Sequence, residues 1–462
     1  MKSTFTVVVV FLIALATAKP ALAAKVVVQK SGAFPTIQQG VDAAGPGDTV
    51  IVTGGVYEET VVIPPALDGL TVKASGKVII DARLPDGGHV GPGIWVFADD
   101  VTLRGITVRH AASIIGAGGA GVFVGAPGAR IENMRFIDCI DYAIFVTGVS
   151  GTLIRQCTIV DSDKGVVASS ADDTTIDRCS IAHCYQGVYL EGSNAVVRRT
   201  KIRQAQEGIH ITGADAAVEK NEVYGCRNSA IRMTSDGAVV RGNAISSCGK
   251  YGIYCKGNAI LIENNRISDQ RGFISCIVAD GDAGEPIDLV VRNNRVRNSH
   301  GFGIRFDHSD GHILLDSNVI VGSGGGALIS CESVVARKNV VHRSGFGFDF
   351  PDSGSGVIEK NVAKNCSRDG FRLDFAHCEL LNNFSTGNTI DGFDVDGADC
   401  EIVGNIALKN AGEGFDLSGT NVVFTNNTAK NNRIDVSATV APTFFEANQY
   451  GNGGTSTLPE ID

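Results

Sequence analysis

A six-residue phrase returns along this chain at a nearly fixed interval, and that interval limits the fold more than any other feature. IENMRF (131–136), IRQCTI (154–159), IDRCSI (176–181) and VRRTKI (197–202) are followed by VEKNEV (218–223), VRGNAI (240–245), IENNRI (262–267) and VRNNRV (291–296). The fourth residue of each phrase forms one row: Met134, Cys157, Cys179, Thr200, Asn221, Asn243, Asn265 and Asn294, continued by Asn318, Asn339, Asn361, Asn383, Asn405 and Asn427. Each unit holds short stretches of alternating apolar and polar residues broken by Gly, Asn, Asp and Ser, which read as strands and turns. No unit contains an amphipathic helical stretch, so helical solenoids are excluded. A turn of strands every ~22 residues gives an all-β parallel β-helix whose coils stack at the ~4.8 Å strand spacing. No coil buries its inner face alone; stacking does that.

The row of asparagines has a physical purpose in such a stack. An amide at the same corner of each coil can hydrogen-bond to the amides above and below, which satisfies a buried polar group at every level. Five residues further on runs a second row of small residues: Cys139, Ser162, Cys184, Ala205, Cys226, Cys248 and later Ser344, Cys366, Asn388, Asn410, Asn432. Many of the 12 cysteines thus fill internal corners and are expected to be reduced and buried, as small hydrophobes. Cys226/Cys248 and Cys378/Cys400, on adjacent coils, are the pairs close enough to be exceptions.

Residues 36–44 suit a short helix stopped by Gly45-Pro46-Gly47, placed to cap the open end of the core. Residues 1–23 read as a secretory signal peptide, with Lys2, an apolar run from Phe5 to Ala18 and a small-residue Ala21-Leu22-Ala23 site. One domain is expected over 24–462: cap and first coil at 24–63, repeat coils at 101–432, and a C-terminal cap at 433–462. The long intervals 110–125 and 271–290 are expected to be loops at a coil edge. The mature protein is expected to be secreted or periplasmic, monomeric and without a membrane anchor. With 50 acidic against 40 basic residues, the chain lacks the basic balance of a nucleic-acid binder. An acidic polysaccharide would need a local basic strip or a bridging cation.

Within each coil the strand alternation sends one residue outward. That row reads Phe145, Val167, Tyr189, His210, Arg232, Tyr254, then Arg305, Asp349, Arg372, Asp394 and Asp416, with Glu191, Asp307, Asp374 and Asp396 in the parallel row. The strip of Tyr189, His210, Arg232, Tyr254 and Arg305 suits an anionic sugar, or simply decorates a strand face. In DGFDVDG and EGFDLSG (391–397, 413–419) the phenylalanine points inward and the aspartates outward, about one strand spacing apart. Like charges so placed repel. Arg372 offsets some of this; a solvated acidic face, a calcium site and paired catalytic carboxylates all remain open.

The 33–63 stretch and the asparagine coils resemble the right-handed parallel β-helix proteins of the pectin-lyase-like superfamily, over nearly the whole chain after the leader. The DGF coils at 360–430 resemble the calcium-dependent family 9 pectate lyases. By that resemblance Asp369, Asp391 and Asp394 are calcium ligands. Ile390 stands where that family has a further aspartate, and Asp416 where its lysine base would be sought. Arg372 and Asp416 are therefore the catalytic candidates, although a guanidinium holds its proton. The favoured reading is a calcium-assisted uronate lyase. A non-catalytic polysaccharide-binding or envelope accessory protein, and a glycoside hydrolase using paired aspartates, are the alternatives. No GxSxG, HExxH, P-loop or CxxC element points to other chemistry.

Overall fold

The computed structural model describes residues 23–83, 91–112, 119–272, 274–280 and 287–451 of the 462-residue chain. The expected leader lies outside these residues except for Ala23, as do the centres of the two long intervals. Among the described residues no helix is long and apolar enough to cross a membrane.

The chain winds as a right-handed parallel β-helix, and over most of its length each coil is three short strands. In one coil these are Gln186–Glu191, Val196–Arg198 and Lys201–Arg203; in the next, Glu207–Thr212, Ala217–Glu219 and Glu222–Tyr224. Equivalent strands pair in parallel, with Tyr189 opposite His210, Val197 opposite Val218 and Ile202 opposite Val223. Three sheets result, here called first, second and third in the order the chain visits them. The corner between second and third sheets turns on a residue in the left-handed region just ahead of the ladder position, such as Lys220 (φ 55°), Asn264 (φ 57°) or Asn382 (φ 56°). Asparagine tolerates that conformation, which explains the doubled NN of several units.

The asparagine ladder forms as the spacing predicts. The backbone N–H and Nδ2 of Asn221 both donate to Oδ1 of Asn243, at 2.9 and 3.0 Å, while Nδ2 also donates to the Val197 carbonyl of the previous coil at 2.8 Å. The same bonds recur from Asn243 to Asn265, Asn294, Asn318, Asn339, Asn361, Asn383, Asn405 and Asn427. Both amide protons and the amide oxygen of each rung are used, in residues buried to 2% exposure or less. Asn388, Asn410 and Asn432 form a second ladder at the other corner, ending on the buried carboxylate of Asp435.

Beside this second ladder Phe348, Phe371, Phe393 and Phe415 stack inside the core at 4.9, 4.8 and 4.7 Å, so the phenylalanine of each GF pair does point inward. The glycine before it is required by the close approach of the coils. A Cβ on Gly392 would lie 2.5 Å from the Gly414 carbonyl and 2.7 Å from Asn410 Nδ2. Cys378 and Cys400 form a disulfide across adjacent coils, whereas Cys226 and Cys248 are free, as are the remaining cysteines, all of them buried.

The helix α1 (Ile37–Asp42) covers the N-terminal end of the core with Ile37 and Val41. Thr36 caps it by accepting from Gln39 N, and the Glu59 carboxylate accepts from the Ile37 and Gln38 amides at 2.8 and 3.0 Å. Coils begin earlier and end later than the repeat suggests. Thr49–Tyr57, Thr71–Asp81 and Thr102–Arg109 run through the corner as long strands, bent at Gly54-Gly55, Gly76 and Gly105, so no asparagine marks those coils. At the other end, where a separate cap was expected from 433, Ile434–Ala438, Phe444–Glu446 and Gln449–Tyr450 still pair in register. Asn448 is a further rung under Asn427. Ala120–Val124, expected within a loop, is a strand paired on both sides.

Asn339→Ala should leave the Asn318 amide groups without their acceptor, at about 1–3 kcal/mol for each buried group left unpaired. Urea unfolding should show a loss of that order or more, while Asn382→Gly at the exposed corner beside Asn383 should change little. Equal stabilities would mean that the ladder is not a source of stability.

Candidate functional site

The outward positions of the first sheet form one continuous row. Strand pairing runs Phe123–Phe145–Val167–Tyr189–His210–Arg232–Tyr254–Val278–Arg305–Leu328–Asp349–Arg372–Asp394–Asp416. From Tyr189 to Asp416 this is ten strand spacings, roughly 48 Å. All five residues expected to contact sugar therefore lie on one face, with Val278 between Tyr254 and Arg305.

The central part of the row is a network of rings and charges. The Tyr189 ring meets His210 edge-on at 5.1 Å, and His210 Nδ1 lies 3.6 Å from Glu207 Oε2. Hydrogen bonding to His210 holds the Glu207 carboxyl below its ordinary value. Arg232 lies 5.5 Å from the Tyr254 ring centre, and Tyr251 packs against Tyr254 at 5.1 Å. Arg305 Nη2 pairs with Asp307 at 2.8 Å. A depression of about 190 Å³ opens between Glu207, Arg232, Lys250, Tyr251, Tyr254 and Asp280. A second of about 230 Å³ continues over Tyr251, Tyr254, Arg305 and Asp307.

The last coils of the row carry the carboxylates. Arg372 is gripped by Asp374, at 3.1 Å to Nε and 2.7 Å to Nη2, and lies 3.8 Å from Asp349. These pairs raise its pKa, so Arg372 serves here as a neutralising charge and does not release its proton. Asp394 has no such partner. Burial, then repulsion from Asp396, Asp369, Asp416 and Asp374, pushes its carboxyl up to about 7. Burial raises Asp416 as well, with Asp396 adding to it, and burial likewise raises Asp391, with Asp369 and Asp416 adding to it. Asp349 is raised by burial despite Arg372. Distant aspartates have thus become electrostatic neighbours on one side of the solenoid.

Asp369 and Asp391 sit at the corner leading into the same strands and have a structural task. One oxygen of Asp369 accepts from Asp391 N at 3.0 Å, and one of Asp391 accepts from Glu413 N. Among the described residues no three His, Cys, Asp or Glu side chains converge closely enough to hold a metal ion. In charge and donor type the group nevertheless fits a hard divalent cation, which takes carboxylate oxygens. Buried oxygens of Asp349, Asp374 and Glu413 have no hydrogen-bond partner. Holding an ion would require Asp369, Asp391 and Asp394 to turn toward one another.

Several residues of this face were not singled out in the sequence. Glu413 occupies in EGF the place of Asp391 in DGF, so alignment of the coils would have found it. Asp280 lies inside the irregular interval, where the repeat gives no register, and Lys250 and Tyr251 lie in a coil before it. Trp95 and Phe97 extend the outward face as an aromatic patch with Phe123, at 5.3 and 5.8 Å between rings, in coils that lack the asparagine marker.

A family model described as "Right handed beta helix region" matches residues 92–217, 207–284 and 275–454. A search of curated proteins finds no significant match to the sequence. Among solved structures, the family 28 exopolygalacturonase of Yersinia enterocolitica is similar with a TM-score of 0.45 and 11% identity, covering 73% of this chain and 78% of that one. The DFA-IIIase of Arthrobacter chlorophenolicus A6 without its lid is similar with a TM-score of 0.44 and 12% identity, covering 70% of this chain and 94% of that one.

Because the folded pKa of Asp394 lies above its ordinary 3.8, the native state binds more protons than the unfolded one between that value and about 7. Stability should therefore fall as pH rises through this window. Thermal melting of Asp394→Asn should show a shallower decline and a higher midpoint than wild type above the window. Parallel pH profiles for the two proteins would show that this carboxylate carries no strain.

Proposed function

This chain belongs to the right handed beta helix region family, and from the residues on its first sheet we propose a carbohydrate-active protein that binds an acidic polysaccharide and cleaves it as a calcium-assisted uronate lyase. The observation that carries the reading is the continuity of the outward row. A basic and aromatic strip leads, in unbroken strand register, to crowded carboxylates whose charge Arg372 and Arg433 offset only in part. A uronate chain lying along the row sets its own carboxylates against Arg232 and Arg305 and its ring faces against Tyr189 and Tyr254.

Asp369, Asp391 and Asp394 are the residues that would hold calcium. When bound, calcium supplies charge neutralisation for the substrate carboxylate, which makes the neighbouring proton more acidic. Asp416, with its pKa raised, is the group one strand spacing away that can accept this proton. In such an elimination the C–H pair becomes the new ring double bond. The glycosidic oxygen departs with its bonding pair and takes a proton from water. Arg372 offsets part of the charge that Asp349 and Asp374 bring to the site. Secreted or periplasmic action by a monomer is part of this reading.

Glycoside hydrolysis is the second reading, and the carboxyl of Asp394, at about 7 beside Asp416, favours it. A protonated and an ionised carboxyl about 5 Å apart can divide acid and nucleophile roles.

The test is incubation with polygalacturonate and alginate, with calcium and with EDTA. A rise in ultraviolet absorbance from unsaturated uronate, lost in EDTA and reduced at least a hundredfold in Asp416→Asn, is the expected result. Reducing ends without absorbance would replace elimination by hydrolysis. Binding without either product would make the protein a polysaccharide-binding module. Calorimetric titration with calcium should give heats that Asp394→Ala abolishes.

A further inference from the structure

A depression of about 730 Å³ lies on the third sheet, away from the outward row of the first. Its floor is small: Ala244, Ser246 and Ser268 stand where the neighbouring coils carry Arg266, Tyr224 and Arg297. The register fixes its shape. One outward row reads Arg203–Tyr224–Ser246–Ser268–Arg297, and the row beside it reads Lys201–Glu222–Ala244–Arg266–Arg295. Arg203 and Arg297 are thus four strand spacings apart, roughly 19 Å. Arg266 and Arg295 stand on adjacent coils between them.

The groove gathers charge of one sign on adjacent coils. On the second sheet and its edge, arginine after arginine has a carboxylate partner. Arg155 pairs with Glu132 at 3.0 Å, Arg199 with Asp177 at 2.7 Å, Arg292 with Glu263 at 2.6 Å and Arg337 with Asp316 at 3.3 Å, and Arg241 also pairs with Glu263. In the groove, Arg203, Arg266, Arg295 and Arg297 have no ion-pair partner among the described residues. The one carboxylate there, Glu222, is paired with Lys201 at 2.7 Å. Arg203 shares the field of Glu222, and the other three guanidinium groups have no ion-pair partner among the described residues, in a chain whose net charge is −10. Exposed cations set on adjacent rungs repel one another and lower stability slightly. A solenoid that pairs its arginines on the neighbouring face has no structural need of them.

The geometry points to a second polysaccharide-binding site in this groove, whose occupant is a linear carboxylated polysaccharide. Guanidinium forks match carboxylates in paired hydrogen bonds, and their spacing along the coils repeats as the charges of a linear polymer repeat. Tyr224, exposed at 45%, offers one ring face at the wall. Nucleic acid fits less well, because a single ring gives no stacking platform and the molecule as a whole repels a polyanion of high charge density. Only the choice of polymer rests on the function proposed above. The site itself needs no calcium and shares no residue with the acidic coils. Its role is to hold the polymer on a face that does no chemistry.

The experiment is binding of fluorescent oligogalacturonate in EDTA, where the acidic coils contribute no cation-bridged contact. Wild type should bind with an affinity that falls steeply with salt. Arg266→Ala/Arg295→Ala, at exposed positions, should weaken binding at least tenfold, whereas Arg155→Ala on the second sheet should leave it unchanged. Circular dichroism melting of the double variant separates lost binding from lost folding, and Arg266→Lys/Arg295→Lys should recover part of the affinity. Unchanged binding in the folded double variant would overturn the assignment, as would tighter binding of a single-stranded oligonucleotide of equal charge. Loss of lyase activity in Asp416→Asn with binding retained would leave the groove standing on its own.

Discussion

Each corner of this solenoid must satisfy buried amides without a regular strand to do so, and the asparagine ladder is the solution on which the rest depends. An amide side chain carries two donors and an oxygen able to accept twice. Stacked at one coil spacing, it closes one donor and both acceptances within the column and gives its second donor to a carbonyl of the preceding coil. Because the bonds run from rung to rung, they fix the rise and lateral position of each coil on the last. Side chains on the outer faces inherit that register, so residues 22 positions apart become neighbours at a distance set by the backbone. The outward rows on the first and third sheets are consequences of this lateral order.

The same order explains what could be read directly from the sequence. From Thr200 to Asn427 the marker residue is present in every coil, and the strand register, the inward phenylalanines and the grouping of Asp369, Asp391, Asp394 and Asp416 all follow from counting. Where the corner is made differently, counting fails. Gly54-Gly55, Gly76 and Gly105 bend continuous strands without a side-chain ladder, so the coils carrying Trp95 and Phe123 were invisible. Near 441–443 a proline and two adjacent phenylalanines obscure the alternation, although Phe445 stacks under Phe424 at 5.3 Å and Asn448 continues the ladder. The groove of the third sheet escaped for another reason. It is defined by small residues between arginines and by the absence of acidic partners, and both require knowing which positions face each other.

Two ionic economies coexist in one molecule. On the second sheet, several arginines find a carboxylate on an adjacent coil, as in the Glu219–Arg241–Glu263–Arg292 series. Arg241 and Arg292 are 42% and 45% exposed, so solvent screens these pairs even though Glu263 itself is buried. What they do is keep a repetitive, edge-rich surface charged without a net local field. The first and third sheets depart from that rule in opposite senses, with carboxylates crowded on one and guanidinium groups unpaired on the other. A local field of one sign is what draws a charged ligand.

The acidic coils cost stability, and the structure reinforces them where that cost falls. Asp394 and Asp416 sit on the coils in which Phe371, Phe393 and Phe415 stack within 5 Å. The second asparagine ladder at 388, 410 and 432 runs through these coils, and the Cys378–Cys400 disulfide ties two of them together. Among the described residues none of these three devices appears in the central coils, where the outward row is of aromatic rings, His210, Arg232, Val278 and the paired Arg305. Repulsion among carboxylates is relieved most easily by separating the coils that carry them. A doubled ladder, a ring stack and a covalent link all oppose that separation. The face is held so that its carboxylates stay crowded, and the strain that would otherwise open the coils remains as raised proton affinity at Asp394, Asp391 and Asp416.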